Sequence, residues 1–327
     1  MTRDRALGIA LVVISACGYG SGALFAKPAY GTGIDWLILS VWRFTFAAIA
    51  SWAWLAIWPN QRRALFGLTR RRVAVLILLG VFFILNSGTY FAALETVSAS
   101  LAALITYMYP ALVAVLTIRF GRRLEGRHAW FALALATAGV ALAVGGIDPD
   151  AAPPPIGIAL AIASPIIYSF WIVMAARFSG ERRARSGSAS DDDLALPPHE
   201  SESPSSDQSE PAPTAAIMIT ATAVAWWIVA LGAGRPVAPW QIPNEAWLPL
   251  LGVGIVSTAI ALQGFYAGAR RIGAAQAALV STVEPVYTIT LASILFGEML
   301  TPVQLIGGVM VIGGVLLAQL GSRGRAS

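Results

Sequence analysis

LGIALVVISACGYGSGALFAK, Leu7 to Lys27, aligns without a gap on IGIALAIASPIIYSFWIVMAA, Ile156 to Ala176. Shared positions are Gly8/Gly157, Ile9/Ile158, Ala10/Ala159, Leu11/Leu160, Ser15/Ser164, Tyr19/Tyr168 and Ala26/Ala175. The correspondence continues downstream. Ala102-Ala103-Leu104 matches Ala277-Ala278-Leu279, Pro110 matches Pro285, and Gly139-Val140 matches Gly314-Val315. Just before the matched prolines the first copy has Tyr109 and the second has Glu284. The chain is therefore two copies of one unit, and a carboxylate marks where they differ.

Composition sets the class. Of 327 residues, 57% are apolar and 12% charged, about half the charge of an ordinary soluble domain. Mean hydropathy is +0.70. The apolar residues fall into ten runs, near 6–27, 35–57, 73–95, 98–119, 128–146, 156–177, 214–234, 246–269, 273–296 and 300–320. A run of about 20 residues, rising ~1.5 Å per residue, spans a ~30 Å hydrocarbon layer as a helix. The expected fold is all-α integral membrane, with ten transmembrane helices.

The pI of 9.7 does not require a nucleic acid. With the N-terminus placed in the cytoplasm, 19 of the 22 Lys and Arg fall in cytoplasmic segments. Lys27 and Arg235 fall on the far side, and Arg43 lies inside a helix. This is the positive-inside bias, and it places both termini in the cytoplasm. Five helices per copy is odd, so the second copy enters from the opposite face and the repeat is inverted. The first repeat covers 1–147 and the second 156–321, with one helix of the second ahead of a linker over 179–213. That linker carries eight acidic residues among Ser and Pro and is expected to be disordered.

Arg3 and Arg5 ahead of an apolar stretch, with Ile14-Ser15-Ala16-Cys17, also resemble a cleavable leader. The apolar run continues to Ala26, and the segment recurs at 156–176, where no leader acts. It is read as the first helix. Cys17 is the only cysteine, and His128 and His199 sit far apart in loops. No metal site, disulfide or catalytic triad is expected, and no P-loop for ATP. No cofactor is predicted.

Repeats of this kind build carriers whose sites lie where the copies meet. Glu284 falls about halfway along its span, where a charged acid costs roughly 2.5–3.5 kcal/mol on translocon-type scales. It should face a cavity or stay protonated. Such a carboxyl could bind an amine, a cation or a proton, or it could donate one structural hydrogen bond. Pro285 and Pro110 cannot donate to the carbonyls of Ser281 and Thr106. Both copies should therefore kink mid-membrane and leave a carbonyl open there.

Further polar groups share helix faces. Asn86 and Tyr90 stand at i and i+4, and Gln263 and Tyr266 at i and i+3. Ser15/Tyr19 and Ser164/Tyr168 are matched pairs, and Tyr107 and Tyr109 flank the first proline. Amide and aromatic groups suit an amphipathic organic solute better than a bare ion, although each alone could be helix-packing glue. Gly18, Gly20 and Gly22 allow close packing or supply flexibility. Arg43 could snorkel, meet an anionic solute or pair with Glu95, and the ion pair is the reading taken. Trp42, Trp52, Trp54, Trp58, Trp226, Trp227, Trp240 and Trp247 are read mostly as an interfacial belt.

At this point the residues resemble the EamA branch of the drug/metabolite transporter superfamily. The similar stretches are Gly18-Tyr19-Gly20 through Lys27, Arg43-Phe44, Ala274 to Pro285, Phe296-Gly297-Glu298 and Gly307-Gly308 to Ala318. The resemblance implies a carrier in the cytoplasmic membrane, moving amino acids, related metabolites or amphipathic drugs through a central cavity. Expected partners are a small-molecule solute and the lipid bilayer, with the chain a monomer or homodimer. One departure is that Phe120-Gly121-Arg122-Arg123 stands where the second copy has Phe296-Gly297-Glu298. The alternatives are a multidrug or nucleotide-sugar-like carrier, a membrane enzyme and a non-transporting scaffold. A nucleotide-sugar site would need several cations in the cavity, and an enzyme would need convergent catalytic groups.

Overall fold

A computed structural model of the protein describes residues 3–119, 127–146, 152–178 and 211–320. No strand occurs among them. The elements are α1 (Arg3–Gly31), α2 (Trp36–Ile57), the short α3 (Pro59–Arg63), α4 (Arg70–Leu94), α5 (Ala99–Thr106), α6 (Tyr109–Arg119) and α7 (Arg127–Gly145). There follow α8 (Pro155–Phe178), α9 (Pro211–Gly232), α10 (Trp247–Leu251), a π-helical stretch (Gly252–Ile260) and α11 (Ala261–Ile272). The last are α12 (Ala274–Val280), α13 (Val283–Phe296) and α14 (Pro302–Leu320).

Among the described residues seven helical stretches are long and apolar enough to cross a membrane: Arg3–Gly31, Trp36–Ile57, Arg70–Leu94, Pro155–Ala175, Ala212–Gly232, Asn244–Ile272 and Gln276–Phe296. Ala99–Val113, Trp130–Gly145 and Pro302–Leu317 are shorter apolar helices. The linker expected over 179–213 and the Phe120–Arg123 hairpin lie outside the described residues, with one exception. Pro211 to Pro213 already belong to the first turn of α9. Proline suits a first turn, whose amides lack intrahelical partners.

Helix ends follow local chemistry. Asp35 caps α2 by accepting from the Ile38 amide at 2.8 Å. Thr69 and Ser98 do the same for α4 and α5. Each side chain satisfies one of the amides left free at a helix start. Gly297 closes α13 with φ +66°, a left-handed conformation natural to glycine.

The halves of the chain interlock. α1 packs on α11, the π stretch and α13, all from the second half. Conversely α8 packs on α4, α5 and α6 of the first half. α2 and α4 both contact α9, and α7 pairs with α14. Small residues line these seams: Ala16, Ala23, Ala26, Ala29 and Ala47 are fully buried or nearly so. Within a bilayer the lipid is as apolar as the protein, so such close contacts carry helix association.

Several connections meet at one end of the bundle, the end poor in arginine. Arg235 pairs there with Asp35. The Trp36 amide donates to Glu95 at 2.7 Å, and Thr301 Oγ1 donates to the Gly146 carbonyl at 3.1 Å. At the opposite end Arg271 lies 3.3 Å from Asp4.

The tryptophan belt needs correction. Trp52, Trp54, Trp58 and Trp240 are exposed, as an interfacial position requires. Trp42 and Trp226 are core residues instead. Trp42 meets Trp247 and Trp227 edge-on at 4.8 and 5.7 Å, and Trp226 meets Trp36 at 5.7 Å. Edge-to-face packing of this kind holds the α2–α9 seam.

Candidate functional site

Pro110 and Pro285 interrupt their helices without ending the spans. α5 ends at Thr106 and α6 restarts at Tyr109; α12 ends at Val280 and α13 restarts at Val283. The sequence predicts kinks in two continuous spans, and in the structure two residues of turn separate the half-helices within the stretches Ala99–Val113 and Gln276–Phe296. Each proline falls in the first turn of the second half-helix, where its missing N–H costs nothing. Glu284 shares that first turn of α13, at the end of the helix dipole that favours negative charge.

The two breaks meet. Tyr107 Oη donates to the Ser281 carbonyl at 2.7 Å, the carbonyl that Pro285 leaves without its usual donor. The Glu284 amide adds a second bond to the same oxygen at 2.9 Å. Ser169 Oγ of α8 donates to the Tyr109 carbonyl at 3.2 Å. Thr288 Oγ1 donates to the Gly20 carbonyl of α1 at 3.1 Å and to the Glu284 carbonyl at 3.0 Å. Gly20 permits this approach, because a Cβ there would stand 2.5 Å from Thr288 Oγ1 and 3.2 Å from the Glu284 carbonyl oxygen. Gly18, Gly20 and Gly22 lie within one unbroken α1.

Around Glu284 stands a set of tyrosines. Tyr109 packs edge-on against Tyr168 at 4.9 Å and on Tyr107 at 6.0 Å. Tyr168 stacks on Trp171 at 6.0 Å with an interplanar angle of 14°. Tyr19, Tyr90, Tyr107, Tyr109 and Tyr168 all lie within electrostatic range of the Glu284 carboxyl. Tyr266 is in range of Tyr19 and Tyr168. Tyr107 is buried, whereas Glu284 and the other five tyrosines keep part of their surface accessible. Among the described residues no basic side chain pairs with Glu284.

Other predicted residues flank this centre. Asn86 accepts from Ser164 Oγ at 3.0 Å, tying α4 to α8. Gln263 and Tyr266 line a recess with Trp54, Gln61 and Arg270. The expected Arg43–Glu95 ion pair is not formed. Arg43 Nε donates to Thr258 Oγ1 at 3.0 Å, and its guanidinium lies over the rings of Phe91 and Phe44 at 4.4 and 4.9 Å. Glu95 instead takes the free Trp36 amide of α2. A guanidinium inside the core is held by aromatic faces, while the carboxylate stays at the helix end with free N–H donors.

Some contributors carry no sequence signal. Thr258 meets Arg43 from the π stretch, where the wider turn lets its hydroxyl bond the Val253 carbonyl five residues back. Tyr287 bonds Ser21 at 3.1 Å, and Thr288 bonds Gly20. Ser169 could have been found, since it occupies the repeat position matched to Gly20.

The family profile of EamA-like transporters matches residues 6–145 and 206–320. The chain belongs to the EamA-like transporter family. Family membership and the apolar helices make it a multi-pass membrane transporter of the drug/metabolite transporter superfamily. The chain is similar to a protein of Archaeoglobus fulgidus named an uncharacterized transporter, 26% identical and aligned over 95% of this chain and 96% of the relative. A crystal structure of another protein aligns over 98% of this chain and 99% of its own, with TM-score 0.58 and 18% identity. That likeness concerns the fold alone. In this EamA-like protein the described centre joins an acid, broken helices and aromatic rings from both halves of the chain.

Proposed function

We propose that the protein is a secondary carrier that moves small organic metabolites, amino acids or related amphipathic solutes, out across the cytoplasmic membrane. Ten spans form two inverted five-helix repeats with both termini cytoplasmic, and the centre opens alternately to each side. The reading rests on one observation. Glu284 sits at a helix break without a basic partner among the described residues, surrounded by tyrosines that keep accessible surface. A carboxyl in that setting binds an amine or a proton, and aromatic faces hold the apolar part of a solute. The cross-packing of α1 on the second half and α8 on the first supports the inverted repeat. Arg43, the cation beside the tyrosines, is engaged by Thr258 and two rings, which disfavours a nucleotide-sugar substrate.

Protein reconstituted in liposomes tests this reading, with a panel of labelled amino acids and imposed pH gradients. Flux should follow the pH gradient in the wild type, and Glu284→Gln should abolish that dependence. Unchanged pH dependence in the variant overturns coupling through Glu284. Absence of flux for every solute, with the 181–212 segment still required in the cell, favours the scaffold instead.

A further inference from the structure

Away from Glu284, at the arginine-poor end, a cavity of about 360 Å³ opens between α1, the start of α5 and the turn into α14. One water needs only about 10–15 Å³ of such space, so the cavity has room for a small organic molecule. Its wall includes Lys27, Glu298 and Ser100, with Met299 and Leu300 as an apolar side. Lys27 Nζ donates to the Val97 carbonyl at 2.6 Å. An ammonium has three protons, so two are left to point elsewhere.

Glu298 is fixed by two bonds. Its Oε1 accepts from the Ala99 amide and its Oε2 from the Ser100 amide, each at 2.9 Å. Each oxygen keeps a further acceptor direction. Lys27 and Glu298 feel each other electrostatically, yet they form no ion pair within 4.0 Å. Ser100 Oγ is fully buried and has no hydrogen-bond partner. That hydroxyl lies behind the wall, so the groups that reach the cavity are the Lys27 ammonium and the Glu298 carboxylate.

We propose that this cavity is a second solute site, specific for a small zwitterion whose carboxylate meets Lys27 and whose ammonium meets Glu298. A simple anion or cation would satisfy one charge and leave the other desolvated beside it, so a molecule carrying both is preferred. The site is separate from the Glu284 centre and does not depend on the proposed coupling.

Thermal unfolding of the full-length protein in detergent, with L-alanine as probe, tests the site. A ligand that binds the native state raises the apparent Tm in a saturable way. The titration is run in the Glu284→Gln background, so that the central carboxylate does not contribute, and acetate and ethylammonium serve as half-ligands. Alanine should give a saturable rise, and either half-ligand alone a much smaller one. Lys27→Met should weaken the apparent affinity about tenfold or more, as loss of a charge-assisted hydrogen bond does. Glu298→Gln removes the charge and keeps an oxygen to accept from an α5 amide, so the variant should fold and bind alanine more weakly. The proposal is overturned if alanine produces no saturable shift, if acetate matches it, or if the shift survives both substitutions. A failed pH dependence of transport would leave these binding results untouched, so the two readings fail separately.

Discussion

The hydroxyl of Tyr107, at the break in the first half of the chain, donates at 2.7 Å to the Ser281 carbonyl that the break in the second half exposes. One interruption thus adds a second donor to the carbonyl that the other frees from its usual helical partner. Non-helical backbone at membrane depth is tolerated where neighbouring groups re-satisfy it, and here Tyr107 does so.

Tyr107→Phe should therefore destabilise the protein by about 0.5–1.5 kcal/mol, the net contribution of one hydrogen bond. The cost stays modest because the Glu284 amide still bonds Ser281 at 2.9 Å. Denaturant unfolding in micelles measures it. A neutral substitution would mean that the contact does not hold the breaks together.

Gly20→Ala should cost about 1–3 kcal/mol, the range for overpacking a filled interior. Thr288 could rotate away from the new methyl group, but the Glu284 carbonyl at 3.2 Å is backbone. Gly31→Ala is the control. Nothing lies within 4 Å of a Cβ there, so the change should stay within about 0.5 kcal/mol. Equal effects at the two positions would remove the packing role assigned to Gly20.

A double-mutant cycle distinguishes the two accounts of Arg43. Arg43→Met and Glu95→Gln should add within about 0.5 kcal/mol, as for residues that share no contact. Arg43→Met and Thr258→Val should be non-additive beyond that margin, because Arg43 Nε and Thr258 Oγ1 are 3.0 Å apart. Coupling to Glu95 rather than Thr258 would restore the ion pair.

Asp35 does two jobs, capping α2 through the Ile38 amide and pairing with Arg235. Asp35→Asn keeps a cap and loses the pair, which is partly exposed, so it should cost about 0–1 kcal/mol and less at high salt. Asp35→Ala loses both and should cost about 1 kcal/mol more. Melting curves at two salt concentrations show whether the order holds.

Much of the helical layout was legible in advance because membrane spans are read from length and polarity, which are local properties. The long helices fall on the predicted runs: 35–57 against Trp36–Ile57 and 156–177 against Pro155–Phe178. The prolines, too, announced their carbonyls. Three things were not legible. The partner of Arg43 depended on a π turn that rotates Thr258 inward, and no residue pattern marks such a turn. Trp42 and Trp226 look like belt residues by position, and only the α2–α9 seam buries them. Lys27, Ser100 and Glu298 are far apart in the chain, and they meet only when α1, α5 and the end of α13 come together.

The amino-acid sequence by itself determined an apolar, helical membrane chain with one acid beside a proline break. Hydrophobic run length, repeat spacing and proline chemistry act along the chain and need no tertiary information. The tertiary structure alone decided which groups share a space. It set Tyr107 against Ser281, the tyrosines around Glu284, and Arg43 against Thr258 rather than Glu95. Side-chain partners follow from how helices rotate and pack, and that is settled by contacts between segments distant in sequence.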